Sequence, residues 1–136
     1  MVDQLSLEKA ETLIQYWVSG SKDDLESAVS IFSKAERYPA SPFFLHLAIE
    51  KALKAAYVKK NQTHAPFTHN LLSLIEKLGW NANEEWLTLA AEINEFNTES
   101  RYPDQKLEFQ TKATKAFAKG YLDRGKDFLL WIEQNS

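Results

Sequence analysis

Apolar residues recur along this chain with a helical period in five stretches, and no stretch alternates with the two-residue period of a half-buried strand. From about Leu7 to Glu36, the residues Leu7, Ala10, Ile14, Trp17, Ser21, Leu25, Ala28 and Phe32 share one face, and the phase passes unbroken through Ser19-Gly20-Ser21. At 1.5 Å per residue this is a helix about 45 Å long, with Gly20 as its weak point. Tyr38-Pro39 and Ser41-Pro42 stop it and turn the chain, because a residue before proline avoids the α region while proline itself suits a helix's first turn. A second helix is expected over about Pro42 to Asn61. Phe44, Leu45, Ala48, Ile49, Ala52, Ala55 and Ala56 give it so broad an apolar face that it must be largely interior. His46, Glu50, Lys54 and Tyr57 nevertheless fall together on one polar stripe of it.

A polar loop with Pro66 leads to Thr68, expected as an N-cap, with Phe67 and Leu72 placed for a hydrophobic staple around it. The third helix is then His69 to Leu78, ended by Gly79. Asn83 is the next N-cap, followed by Glu84 and Glu85 where the helix dipole favours acids, and the fourth helix runs from about Glu84 to Ser100. It is expected to bury Trp86, Ala90, Ile93 and Asn97. The last helix, about Leu107 to Glu133, aligns Phe109, Ala113, Ala116, Phe117, Gly120, Tyr121, Phe128 and Trp131, with Arg124 in the same stripe. Its small residues allow a close helix neighbour. The fold expected is all-α, a single domain over residues 1–136 built as a five-helix, up-and-down antiparallel bundle.

Composition narrows what such a bundle can do. The absence of cysteine excludes disulfides and thiol chemistry, and Met1 is followed by a charged amphipathic segment without an apolar core of signal-peptide type, so a cytoplasmic protein without a membrane partner is expected. A net charge of -3 means that the whole molecule does not attract polyanions, and any phosphate binding must come from a local patch. Four tryptophans, with apolar residues on more than one helix face, leave more apolar surface than a monomer of this size hides, which predicts a two-fold dimer.

Candidate chemistry is sparse. Gly20-Ser21 with Asp23-Asp24 has the residues of a nucleotidyltransferase signature, but that signature needs a strand and a turn before it, and the helical period denies both. His64 and His69 lack a cysteine or carboxylate set at ligand spacing, so neither a metal nor a cofactor is expected. His46, Glu50 and Lys54, at i, i+4 and i+8, read as a structural polar network if another helix covers them, with Tyr57 close to the same line and Arg124 as an additional partner for Glu50. His69 at a helix start serves capping or packing; alternatively the free N–H groups there bind an anion, with Thr68 and His69 donating. Pro103 forces Tyr102 into an extended conformation and sets Arg101 and Asp104 at a defined corner, where they can simply end one helix and cap the next.

Phe43-Phe44, Ala48-Ile49-Glu50-Lys51-Ala52-Leu53-Lys54-Ala55, Thr68-His69-Asn70-Leu71 and Arg101-Tyr102-Pro103-Asp104, in this order and spacing, resemble the HEPN domains (higher eukaryotes and prokaryotes nucleotide-binding). Tyr16-Trp17 with Asp24-Leu25 and Ala28 looks like that family's opening helix, so the resemblance covers nearly the whole chain. It implies a helical bundle that homodimerises, often beside a minimal nucleotidyltransferase in a two-component, toxin–antitoxin-like module. Arg101, Lys51 and Lys54 are the contacts it implies to a nucleotide or RNA phosphate, and Thr68 and His69 are expected to join them if the helix start binds an anion. Many relatives carry a histidine four to six residues after the arginine, as the base of a metal-independent ribonuclease. Gln105 to Leu107 contain none, which implies a non-catalytic binding subunit. Two alternatives are a ribonuclease whose base is His46 or His69, and a dimeric scaffold without a ligand.

Overall fold

The computed structural model describes residues 4–96 and 103–136, and among them there are helices and no strand. Helix α1 spans Leu7–Ser30 and begins at Ser6, whose side chain accepts from the Lys9 amide. It passes through Gly20 without a break and runs on as a π-helical turn, Ile31–Ala35, which ends where Glu36 takes a left-handed conformation at φ 53°. Helix α2 spans Ala40–Asn61 and closes on Gln62, also left-handed. Helices α3, Leu71–Leu78, and α4, Glu84–Asn94, follow, then α5, Pro103–Lys112, and α6, Lys115–Asn135. The architecture is the expected all-α bundle, with α2 at its centre against α1, α3, α4 and α6.

That central place follows from α2's composition. Leu45, Ile49, Leu53 and Val58 are wholly buried, and each such side chain contributes roughly 1.5–3 kcal/mol over exposure. Where α2 meets α1, two buried hydroxyls satisfy backbone carbonyls across the seam: Ser21 donates to Ala48 O at 2.7 Å and Ser41 to Ala28 O at 2.8 Å. Against α6 the approach is closer still, because Gly125 presents no side chain to Leu45. Aromatic rings join α4 and the turn after it to α6, with Trp86 stacked on Phe128 at 5.2 Å between centroids and Phe96 edge-on to Tyr121 at 4.8 Å.

Four expectations are corrected. The stretch read as one last helix is α5 and α6, divided at Ala113-Thr114, because Thr114 takes an extended backbone and its hydroxyl caps α6 by accepting from Phe117 N. Helix α3 begins at Leu71 rather than His69, since Asn70 is its N-cap and accepts from Leu72 N and Ser73 N. Phe67 forms no staple; its side chain is fully exposed. Gly120, the glycine expected in the helix contact, has open space where a Cβ would stand, and Gly125 makes the close approach instead. Asn97 lies outside the described residues.

Candidate functional site

The polar stripe of α2 is covered by the loop between α2 and α3. His46 is entirely buried and Glu50 and Lys54 nearly so. Three bonds hold the end of that loop. Thr68 N donates to Pro66 O at 3.0 Å, Asn70 N to Thr68 Oγ1 at 3.1 Å, and the His46 ring lies with Nε2 3.0 Å from the His69 carbonyl. A carbonyl only accepts, so Nε2 carries the hydrogen. Burial drives the His46 pKa down, outweighing the upward pull of Glu50, and the ring is neutral at pH 7. Its other nitrogen, Nδ1, then bears a lone pair without a hydrogen-bond partner, 3.9 Å from Glu50 Oε1.

Glu50 divides its two oxygens between partners of opposite exposure. Oε2 accepts from Lys54 Nζ at 3.0 Å, inside the bundle, where the ammonium also stands 5.2 Å from the centre of the Trp17 ring. Oε1 lies 2.9 Å from Nδ1 of His69, whose side chain is 59% exposed. The carboxylate can only accept, which places a hydrogen on Nδ1, so that Nε2 is the nitrogen through which this ring can take up or release a proton. A buried, charge-compensated carboxylate thus fixes the tautomer and orientation of an exposed imidazole.

The start of α3 has no amides to spare for an anion. Leu71 N donates to Asn94 Oδ1 at 2.8 Å, Leu72 N and Ser73 N to Asn70 Oδ1, and Leu74 N to Asn70 O. Asn94, the last residue of α4, also donates from Nδ2 to Asn70 Oδ1 at 3.0 Å. Thr68 spends its hydroxyl oxygen on the Asn70 amide. The amides of Leu71 to Leu74 are thus satisfied within the protein and are not among the donors an anion at this helix start could use.

The remaining expected residues are spread out. Lys51 is not beside Lys54's partner but on the α1 side, 2.7 Å from Asp24 and lying over Gly20. Tyr57 packs against the core, and its carbonyl accepts from Asn61 Nδ2 at 3.2 Å. Arg124, expected beside Glu50, is half exposed and pairs with Glu92 on α4 at 3.5 Å, its guanidinium 4.5 Å from the centre of the Tyr121 ring. The reason is that α6 turns this position toward α4 rather than toward the α2 stripe. Tyr121 donates to the same Glu92 at 2.5 Å, and burial first, then this bond, raises its pKa. Asp104 is exposed in the first turn of α5, and Arg101 lies outside the described residues. Among the described residues, no group of three or more His, Asp or Glu side chains could hold a metal ion, and no helix is long and apolar enough to cross a membrane.

A family model described as HEPN domain matches residues 14–135 of the chain. Two solved structures share the fold. One is TT1696 from Thermus thermophilus, with a TM-score of 0.77 and 21% identity over 90% of this chain and 98% of that one. The other is ST0689, an archaeal HEPN homologue, with a TM-score of 0.70 and 18% identity over 90% and 96%. No curated protein matches the chain.

Proposed function

We propose the following function for this chain, which belongs to the HEPN domain family: it binds RNA at the α2–α3 loop and cleaves it without a metal, with His69 as the general base. The observation that carries the reading is the 2.9 Å contact between the buried Glu50 carboxylate and Nδ1 of the exposed His69. An imidazole has the near-neutral pKa that abstraction of a ribose 2′-hydroxyl proton needs, and a carboxylate behind it both orients the ring and stabilises the imidazolium that forms. The proton passes from the 2′-oxygen to Nε2 as that oxygen bonds to the adjacent phosphorus. The bond from phosphorus to the 5′-oxygen breaks, and the 5′-oxygen takes a proton from water. The products are a 2′,3′-cyclic phosphate and a free 5′-hydroxyl, and the imidazolium returns its proton to water. Glu50 needs no proton of its own in this sequence, since Lys54 compensates its charge.

Incubation of the purified protein with a fluorescent single-stranded RNA in the presence of a chelator tests this reading. Cleavage that stops in His69→Ala, a change at an exposed side chain, supports it; cleavage unchanged in His69→Ala overturns it. RNA bound but left intact by the parent reduces the role to that of a binding subunit, the part that a nucleotidyltransferase partner would complement. The homodimer belongs to the same proposal. An apolar groove of about 570 Å³ between α1, α2 and α6, lined by Ile14, Val18, Leu25, Leu129 and the exposed Leu130, offers it a surface, and sedimentation at micromolar concentration measures the mass.

A further inference from the structure

Phe67 is the most exposed large apolar side chain among the described residues, at 105% of its reference area. It stands two residues before His69, on a loop that is not free to wander. Thr68, between them, is bonded through both its amide and its hydroxyl, and the His69 carbonyl is held by His46. The ring therefore projects from a backbone already fixed for other reasons, in a segment where the sequence offered it a staple with Leu72 that the fold does not make. Phe67 and His69 are two positions apart along this held backbone, so their Cα atoms are at most about 7 Å apart, the scale of a single nucleotide.

We propose that Phe67 is a stacking platform for an unpaired nucleobase, and that it selects single-stranded RNA for the chemistry at His69; this rests on the function proposed above. Stacking suits this site because it asks nothing of charge. The chain carries a net charge of -3, and Lys51 and Lys54 of α2 already serve Asp24 and Glu50, so these two lysines supply little attraction for the phosphate backbone. Every base has an aromatic face, whereas a base inside a duplex has both faces covered by its neighbours.

Fluorescence anisotropy with a short 2′-O-methyl oligoribonucleotide, which binds but lacks the nucleophile, isolates stacking from cleavage. Phe67→Ala is expected to lose about 10- to 100-fold in affinity for the single strand with an unchanged melting temperature, because the ring packs on nothing that the fold needs. Phe67→Trp is expected to keep the affinity, and a duplex of the same sequence to bind weakly and equally to parent and Phe67→Ala. Single-strand affinity unchanged in Phe67→Ala overturns the proposal, as does a lower sedimentation mass of that variant, which would make Phe67 a contact between copies. Cleavage by the parent with unchanged Phe67→Ala affinity sinks the platform alone. Phe67-dependent binding without cleavage sinks the catalytic role of His69 and leaves the platform standing.

Discussion

Gly125 brings α6 so close to α2 that a Cβ there would stand 2.6 Å from Leu45 Cδ1. Leu45 is itself wholly buried, so it has no empty volume to retreat into. Gly125→Ala should therefore destabilise by about 1–3 kcal/mol through overpacking, even though alanine is the better helix former by about 1 kcal/mol. Gly120→Ala, on the same helix but facing open space, should instead raise stability by up to about 1 kcal/mol. Urea denaturation of the two variants should move in opposite directions. Equal effects would mean that Leu45 repacks.

Gly20 lies between these cases. Helix propensity alone favours Gly20→Ala by up to about 1 kcal/mol, but the new Cβ would meet Lys51 Cδ at 3.0 Å, and Lys51 is tethered to Asp24. The gain should be smaller than at Gly120, and it should recover in a Lys51→Ala background. Thermal melts of the double-mutant cycle measure the coupling, and additive effects would rule out the contact.

The two lysines of α2 should differ in what their partners are worth. Glu50→Gln leaves the buried Lys54 ammonium without a counter-charge, which costs roughly 3–5 kcal/mol. Asp24→Asn affects a pair in which Lys51 keeps 27% of its side chain exposed, and the loss should be nearer the ~1 kcal/mol of a surface pair. Chemical denaturation at pH 7 ranks them; an equal or reversed ranking would contradict the burial argument.

Protonation of His46 sets an acid limit. Its folded pKa is depressed by burial below the ordinary 6.5, so below about that pH the unfolded chain binds a proton that the folded chain refuses. Stability should fall as pH drops from 7.5 through 6.5 until the folded pKa is reached. His46→Gln can still donate to the His69 carbonyl and does not titrate, so the difference in melting temperature between parent and variant should shrink as the pH falls. A constant difference between pH 7.5 and 5 would exclude His46 as the cause.

Much of the bundle was legible because its information is local. The apolar phase carried α1 through Gly20, the prolines placed the start of α2 within two residues, and Asn83 capped α4 as its chemistry demands. What was not legible depends on residues far apart. Thr68 and Asn70 are both competent caps, and Asn70 is chosen in company with Asn94, 24 residues on, which no periodicity encodes. The stripe of His46, Glu50 and Lys54 stood out on α2, but the arrival of His69 at Glu50 depends on a loop whose path is set by Gln62 and Thr68 rather than by any repeat. Arg124 misled because an apolar stripe says that a position borders the core without saying which neighbour it meets; Glu92, Tyr121 and Arg124 form a cluster between α4 and α6 that the pattern gave no sign of.

The asparagine pair at the start of α3 has a mechanical side. The backbone that carries His69 is gripped by His46 on α2 and, through Leu71 and Asn70, by Asn94 at the very end of α4. The reach of the imidazole is thus set jointly by two helices, one rigid at the centre of the bundle and one tied on by its last residue. Asn94 therefore ties the backbone next to His69 to the end of α4, as His46 and Glu50 tie the residue itself to α2.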